Sequence, residues 1–270
     1  MIYRHLIYPV LSRFQSFRKI GLRILSLLMK LPLMGRFFRL VYCRKYPGME
    51  RELFGLAFPG PIALTEGHDV SGEFYNDLAN LGFAYVDIGP FGSPDPDETN
   101  LRKAIENIKR RPPKVKIAAS LQGECRKAFS LLYDFVDFFS VTMVSDDIGD
   151  IQQILDEMLE MRLCYDAYKP IVLKILPHTD EEMLKIAVDY CRMSGIDAIE
   201  GPAEAIPFIS EYTERRVTVI ASGGQLPKET AAELIRQGAA IVEIDTEFSE
   251  NGPSTVKGYM KYISRSNNTQ

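Results

Sequence analysis

One lysine stands where an apolar strand should be. In Val172-Leu173-Lys174-Ile175 the cation interrupts a run of branched aliphatics, and burying an unpaired ammonium is costly, so the chain has to offer it a polar partner. Two readings stay open for Lys174: a cation facing an anionic cofactor or intermediate, or a structural ion pair with a neighbouring carboxylate. A second candidate is Ala221-Ser222-Gly223-Gly224-Gln225, followed 21 residues later by Asp245-Thr246. Paired glycines let backbone N–H groups approach an anion closely, so Gly223, Gly224 and Thr246 form a candidate phosphate site, although turns use Gly-Gly routinely. Ser145, in Val144-Ser145-Asp146-Asp147, is either a reactive hydroxyl or a helix N-cap. His5, His68 and His178 are too scattered to suggest a metal site. Cys43, Cys125, Cys164 and Cys191 have neither zinc nor thioredoxin spacing, and are expected to be buried free thiols of a reducing compartment.

These residues need elements to position them, and the pattern supplies eight pairs. Short apolar runs occur at Ile62–Thr65, Tyr85–Gly89, Lys116–Ser120, Phe138–Val141, Ile171–Ile175, Ala198–Glu200, Thr218–Ser222 and Ile241–Asp245. Helical periodicity follows each, near 71–81, 99–110, 123–134, 148–162, 180–194, 203–211, 227–237 and 254–264. This alternation predicts an α/β fold, a (β/α)8 TIM barrel. In such a barrel Ser145, Lys174, Gly223, Gly224 and Thr246 all fall at the carboxyl ends of strands, the face that carries active sites. Arg51–Phe58 is expected to be a small hairpin capping the barrel floor. Thr179-Asp180-Glu181-Glu182 places acids at a helix start, and Gly195 is placed to end that helix.

Charge divides the chain in two. Residues 1–49 hold ten Lys or Arg and no acid, whereas the remaining 221 residues carry 22 basic and 36 acidic groups, a balance of −14. The expected domains are therefore a basic helical extension, 1–49, and the barrel, 50–270. An acidic body is a poor nucleic-acid partner, so none is expected. In the extension, Ile20, Ile24, Leu27, Leu28 and Leu31 share one helical face, and Met34, Phe37, Phe38 and Val41 alternate with Arg36 and Arg39. Basic residues flanking an apolar stripe describe a helix lying on an anionic membrane; the competing reading is a helical hairpin folded onto the barrel or a partner. The longest apolar run there is far shorter than the roughly 20 residues of a span, and interspersed arginines fit a signal peptide poorly. The expected location is cytoplasmic and peripheral to a membrane.

The order of several short motifs then resembles a known family across nearly the whole chain. Met1-Ile2-Tyr3-Arg4 with Pro9, Leu31-Pro32-Leu33, Phe54-Gly55-Leu56-Ala57-Phe58-Pro59, Asp69-Val70-Ser71-Gly72-Glu73, Leu81-Gly82-Phe83, Val86-Asp87-Ile88-Gly89, Gly195-Ile196-Asp197 and Asn251-Gly252-Pro253 are similar to the membrane-associated, quinone-dependent class of dihydroorotate dehydrogenase. The resemblance implies an FMN-binding oxidoreductase of pyrimidine biosynthesis, with electrons passed to a quinone through the N-terminal helices. Residue by residue it implies Ser145 as catalytic base and Lys174 beside the flavin. It likewise implies Gly223, Gly224 and Thr246 at the phosphate, and Thr65, Glu66 and Gly67 in the first-strand loop against the flavin. The chain departs from the family pattern at Glu66, Val70, Ala118, Thr142, Asp147 and Pro202, and it lacks the glycine-rich loop after the sixth strand. Lost amides remove paired donors and acceptors, so a small-molecule substrate other than dihydroorotate, or impaired turnover, is expected. The alternative is a non-catalytic barrel that keeps a phosphate pocket for a binding or regulatory role.

Overall fold

A computed structural model describes residues 17–31, 33–92, 98–143 and 148–267. Two helices, α1 (Phe17–Lys30) and α2 (Met34–Tyr42), precede an antiparallel hairpin of β1 (Arg51–Leu53) and β2 (Leu56–Phe58). Eight parallel strands follow: β3 (Ile62–Leu64), β4 (Tyr85–Gly92), β5 (Lys116–Gln122), β6 (Phe138–Thr142), β7 (Ile171–Lys174), β8 (Ala198–Pro202), β9 (Thr218–Ser222) and β10 (Ala239–Ile244). They close in chain order, with β10 pairing β3 through Val242↔Ile62 and Ile244↔Leu64. The helices between them are α3 (Tyr75–Leu78), α4 (Thr99–Arg110), α5 (Arg126–Leu132), α6 (Ile148–Arg162), α7 (Glu181–Ser194), α8 (Ile206–Tyr212) and α9 (Lys228–Arg236). After β10 come α10 (Thr246–Asn251) and α11 (Thr255–Asn267). The expected (β/α)8 barrel is the observed one.

Helix patterning explains how the barrel is wrapped. In α4, Leu101, Ala104 and Ile108 are buried at i, i+3 and i+7; in α7, Leu184, Ala187, Val188 and Cys191 keep the same stripe toward the strands. Asp180 caps α7 by accepting from Met183 N at 2.9 Å, and Gly195 ends it at φ 86°, a conformation that disfavours other residues. The 71–81 segment is shorter than its periodicity suggests: a single turn at α3 and a 3-10 turn over Ala79–Leu81. Asp69 takes over that corner by accepting from the backbone N–H groups of Glu73, Phe74 and Tyr75 at 2.6, 2.8 and 2.7 Å.

The inside of the barrel has two levels. The lower inward positions, Ala63, Tyr85, Ala118, Phe138, Val172, Ala198, Ile220 and Ile241, pack as one apolar cluster with Phe58, closed from below by Leu53, Phe54 and Leu56 of the hairpin. Phe54 lies against Phe138 with ring centres 6.0 Å apart, which confirms the hairpin as the barrel floor. Two residues further along each strand, where side chains return to the same face, stand Thr65, Asp87, Ser120, Ser140, Lys174, Glu200, Ser222 and Glu243. Every one is polar.

The N-terminal helices lie on the barrel. Leu22, Ser26 and Met29 of α1 and Phe38 of α2 are buried, and Ser26 donates to Asp77 Oδ2 at 2.6 Å. The stripe expected to face a membrane is turned outward: Ile24, Leu27, Leu28 and Leu31 are exposed, as are Leu33, Phe37 and Leu40. One face of the extension therefore docks on the barrel and another is left open. Among the described residues, no helix is long and apolar enough to cross a membrane. The four cysteines are free thiols, as expected, but only Cys125 and Cys191 are buried; Cys43 and Cys164 are exposed.

Candidate functional site

The polar level of the barrel converges on Lys174. Its ammonium lies 2.7 Å from Glu66 Oε2, 2.5 Å from Glu200 Oε1 and 3.8 Å from Glu243 Oε2. Adjacent strands arrange this directly, because Lys174 and Glu200 are register partners of β7 and β8. Glu66 reaches in from the loop after β3, where Thr65 Oγ1 donates to the same oxygen at 2.8 Å. Ser140 holds the other Glu200 oxygen at 2.8 Å, Tyr85 donates to Glu243 Oε1 at 2.8 Å, and Ser120 donates to Asp87 Oδ2 at 2.6 Å. Glu200, Glu243 and Asp87 are almost wholly buried.

Four carboxyl groups against one ammonium leave the cluster short of positive charge, and the titrations respond. Burial raises Asp87 and Glu243 well above the usual carboxylate range, with Glu66 adding to the effect on Asp87 and Glu200 to that on Glu243. Burial would also raise Glu66, but the Lys174 charge and hydrogen bond outweigh it and Glu66 is held low. For Lys174, burial favours the neutral amine, and Glu200, Glu243 and Glu66 overcome it, keeping the ammonium charged. The buried Tyr85 hydroxyl, next to Glu243, is likewise pushed well up.

Among the residues expected in the site, hydrogen bonds join Thr65, Glu66 and Lys174. Gly67 adjoins them, its N–H donating to the Gly89 carbonyl at 3.2 Å. Gly223 and Gly224 follow β9 with φ of 79° and 72°, and nothing stands within 4 Å of where a Cβ would project from either. Thr246 opens α10 with its buried hydroxyl unpartnered, beside a separate cleft of about 350 Å3 that is also lined by Glu229, Glu247 and Glu250. In that region the backbone N–H of Leu226 donates to the Glu247 carboxylate, so one N–H of the glycine-rich turn already has its anion. Ser145 and Asp147 lie outside the described residues. Ala118 sits in the apolar lower level. The chain passes from β8 to α8 with only three residues between them, so the loop missing after the sixth strand is missing in the fold as well.

Sequence reading gives Asp87, Glu200 and Glu243 no role in a site: Glu200 and Glu243 lie inside strand runs, and Asp87 stands in a motif that carries the resemblance. The available signal was the repeat of two: counting two residues on from the apolar inward position of every strand returns a polar residue eight times.

No family profile matches the chain. It is 24% identical to a dihydroorotate dehydrogenase (quinone) of Christiangramia forsetii, an alignment over 330 residues that covers 95% of this chain and 97% of that one. At least 60 positions of that alignment have no counterpart in a 270-residue chain. A Coxiella burnetii dihydroorotate dehydrogenase (quinone) is also 24% identical, with 84% and 88% covered. The crystal structure of DHODH from Eimeria tenella in complex with ferulenol superposes with a TM-score of 0.72 at 15% identity, covering 91% of this chain and 95% of that one, and shows the same fold. Over most of its length the chain is thus similar in sequence to proteins named quinone-dependent dihydroorotate dehydrogenase, and its barrel has the fold of the Eimeria tenella structure.

Proposed function

We propose that this chain is a barrel of the dihydroorotate dehydrogenase type that has left flavin chemistry and works as a binding protein at an anionic membrane surface. One observation carries the reading: Lys174, the cation that the resemblance assigns to the flavin, is already committed to Glu66 at 2.7 Å and Glu200 at 2.5 Å. FMN would supply hydride-accepting chemistry, and its reduced ring and its phosphate are both anionic. The side chains present do not fit it. The ring position that the resemblance implies, beside Lys174 and the 65–67 loop, adjoins the carboxyl groups of Glu66 and Glu200, and the Glu66 carboxylate, held charged by Lys174, repels a reduced, anionic ring. The phosphate position competes with the Glu247 carboxylate for the N–H of Leu226 and has Glu229 and Glu250 nearby. The remaining part of the proposal rests on the extension, whose outward face combines exposed Leu27, Leu33, Phe37 and Leu40 with exposed Arg23, Lys30, Arg36 and Arg39.

The test is direct. Full-length protein purified from cells should be colourless, should bind no FMN in a fluorescence titration, and should not reduce a quinone with dihydroorotate. A yellow protein carrying stoichiometric flavin would overturn the proposal, and turnover of dihydroorotate would restore the family activity.

A further inference from the structure

We propose that Glu66, Glu200 and Glu243, with Asp87 on the adjoining wall, form a binding site for a hard divalent cation at the barrel mouth, and that Lys174 fills the place of the ion in its absence. The inference rests on the reading above, in which no flavin occupies the mouth.

Geometry comes first. One carboxylate oxygen from each of Glu66, Glu200 and Glu243 lies within 4.8 Å of the others. Oxygen ligands bind Ca2+ at about 2.3–2.6 Å and Mg2+ at about 2.1 Å, so ligand atoms on opposite sides of an ion stand roughly 4–5 Å apart. The triangle fits within that span. An all-oxygen donor set selects Mg2+, Ca2+ or Mn2+ over the softer metals.

The second observation is independent of the triangle. Asp87 is fully buried, and its Oδ1 has no hydrogen-bond partner among the described residues. Its side chain belongs to the same inward polar level as Lys174, and Ser120 anchors only its other oxygen. Glu243 Oε2 likewise lacks a hydrogen-bond partner and faces the ammonium at a distance of 3.8 Å. Buried acceptors are rarely left unused. Asp87 Oδ1 and Glu243 Oε2 are two such acceptors in the polar level around Lys174, open to a cation.

Charge completes the argument. Glu66, Glu200 and Glu243 share one ammonium, and a divalent ion would bring more positive charge to the same oxygens than Lys174 does. The ammonium is a monovalent substitute that reaches two carboxylates at hydrogen-bond distance and stays clear of the third. Ions can enter along Glu66, whose side chain is 24% exposed while those of Glu200 and Glu243 are 1% exposed. Ser140 and Tyr85 orient Glu200 and Glu243 through the oxygens turned away from Lys174, as second partners do for metal ligands, and Thr65 holds Glu66 at the oxygen that meets the ammonium.

Mn2+ is the probe, titrated into the full-length protein with free ion read by its paramagnetic spectrum, and Ca2+ and Mg2+ as competitors. The expected result is saturable one-to-one binding that weakens by more than about tenfold in Glu66→Gln and in Glu243→Gln. Lys174→Met removes the competitor and should bind Mn2+ more tightly than the unaltered protein, with a larger Mn2+-induced rise in melting temperature. Glu66→Gln lies at the exposed rim, so it decides the question even if a buried variant fails to fold. No saturable binding, or equal binding by Glu66→Gln and the unaltered protein, overturns the site. A colourless protein that takes up no Mn2+ defeats this inference alone, whereas a flavin-loaded protein defeats the reading beneath it.

Discussion

Removing Lys174 tests how far a buried cluster depends on its ammonium. The side chain is 10% exposed, and Glu200 beside it is 1% exposed. Breaking a buried pair by deleting one partner leaves the other charge uncompensated, at a cost of about 3–5 kcal/mol. Lys174→Met, in metal-free buffer, should therefore lower the unfolding free energy read from a urea titration by an amount in that range. The double variant Lys174→Met, Glu200→Gln should recover part of the loss, because it removes the stranded charge as well. If the single and double variants unfold together near the unaltered midpoint, the cluster is too well hydrated to bear this account. The two readings left open for Lys174 differed in what lay across the barrel from it, and that was the information a linear pattern could not hold. Its partners come from residues 66, 200 and 243, brought together only by barrel closure.

At the level of elements, alternating patterns were nearly sufficient. The eight runs became eight strands because each is apolar enough to be buried on both faces, and the helices followed because their stripes repeat at i, i+3 and i+7. Periodicity misled where it met a competing local partner: in the 71–81 segment, Asp69 captures three successive N–H groups and holds the chain in a corner rather than a long helix. It also missed the face of α1 that docks on the barrel, Leu22, Ser26 and Met29. Both faces of that helix are apolar, and Ser26, chosen by the barrel for its bond to Asp77, reads as polar in any hydropathy count. The two faces can be separated experimentally. Leu27→Glu and Leu40→Glu alter residues 64% and 79% exposed, so they should leave the melting temperature unchanged and weaken sedimentation with anionic vesicles. Met29→Ala, buried against the barrel, should destabilise by about 2–5 kcal/mol and leave vesicle binding intact at temperatures below the transition. Binding to vesicles should also weaken as salt is added, since charge attraction is screened over about 8 Å at physiological ionic strength. Equal sedimentation of Leu40→Glu and the unaltered protein would count against the membrane-facing role of the extension.

For the molecule as a whole, buried acids make stability depend on pH in an unusual direction. Burial lifts Asp69 to about 6 even though three backbone N–H groups favour its charged form, and burial places Asp87 and Glu243 well above the usual range. A carboxyl group with a raised folded pKa binds more protons in the folded state than in the unfolded one. Its contribution is complete below the ordinary value of about 4 and is lost as pH climbs through the folded value. For Asp69 alone, a rise of roughly two units corresponds to about 3 kcal/mol between about pH 4 and pH 6. Glu66 works the other way: its pKa is held low by Lys174, so the stability it supplies is present at neutral pH and disappears as acid protonates it. The two slopes place the stability maximum on the acid side of neutrality, and the protein in metal-free buffer should melt higher at about pH 5 than at about pH 8. Glu243→Gln, which keeps the shape and one acceptor for Tyr85 but cannot ionise, should flatten the alkaline decline. A melting temperature that rises from about pH 5 to about pH 8 would mean that the buried carboxyls are ionised in the folded barrel, balanced by a charge other than the Lys174 ammonium.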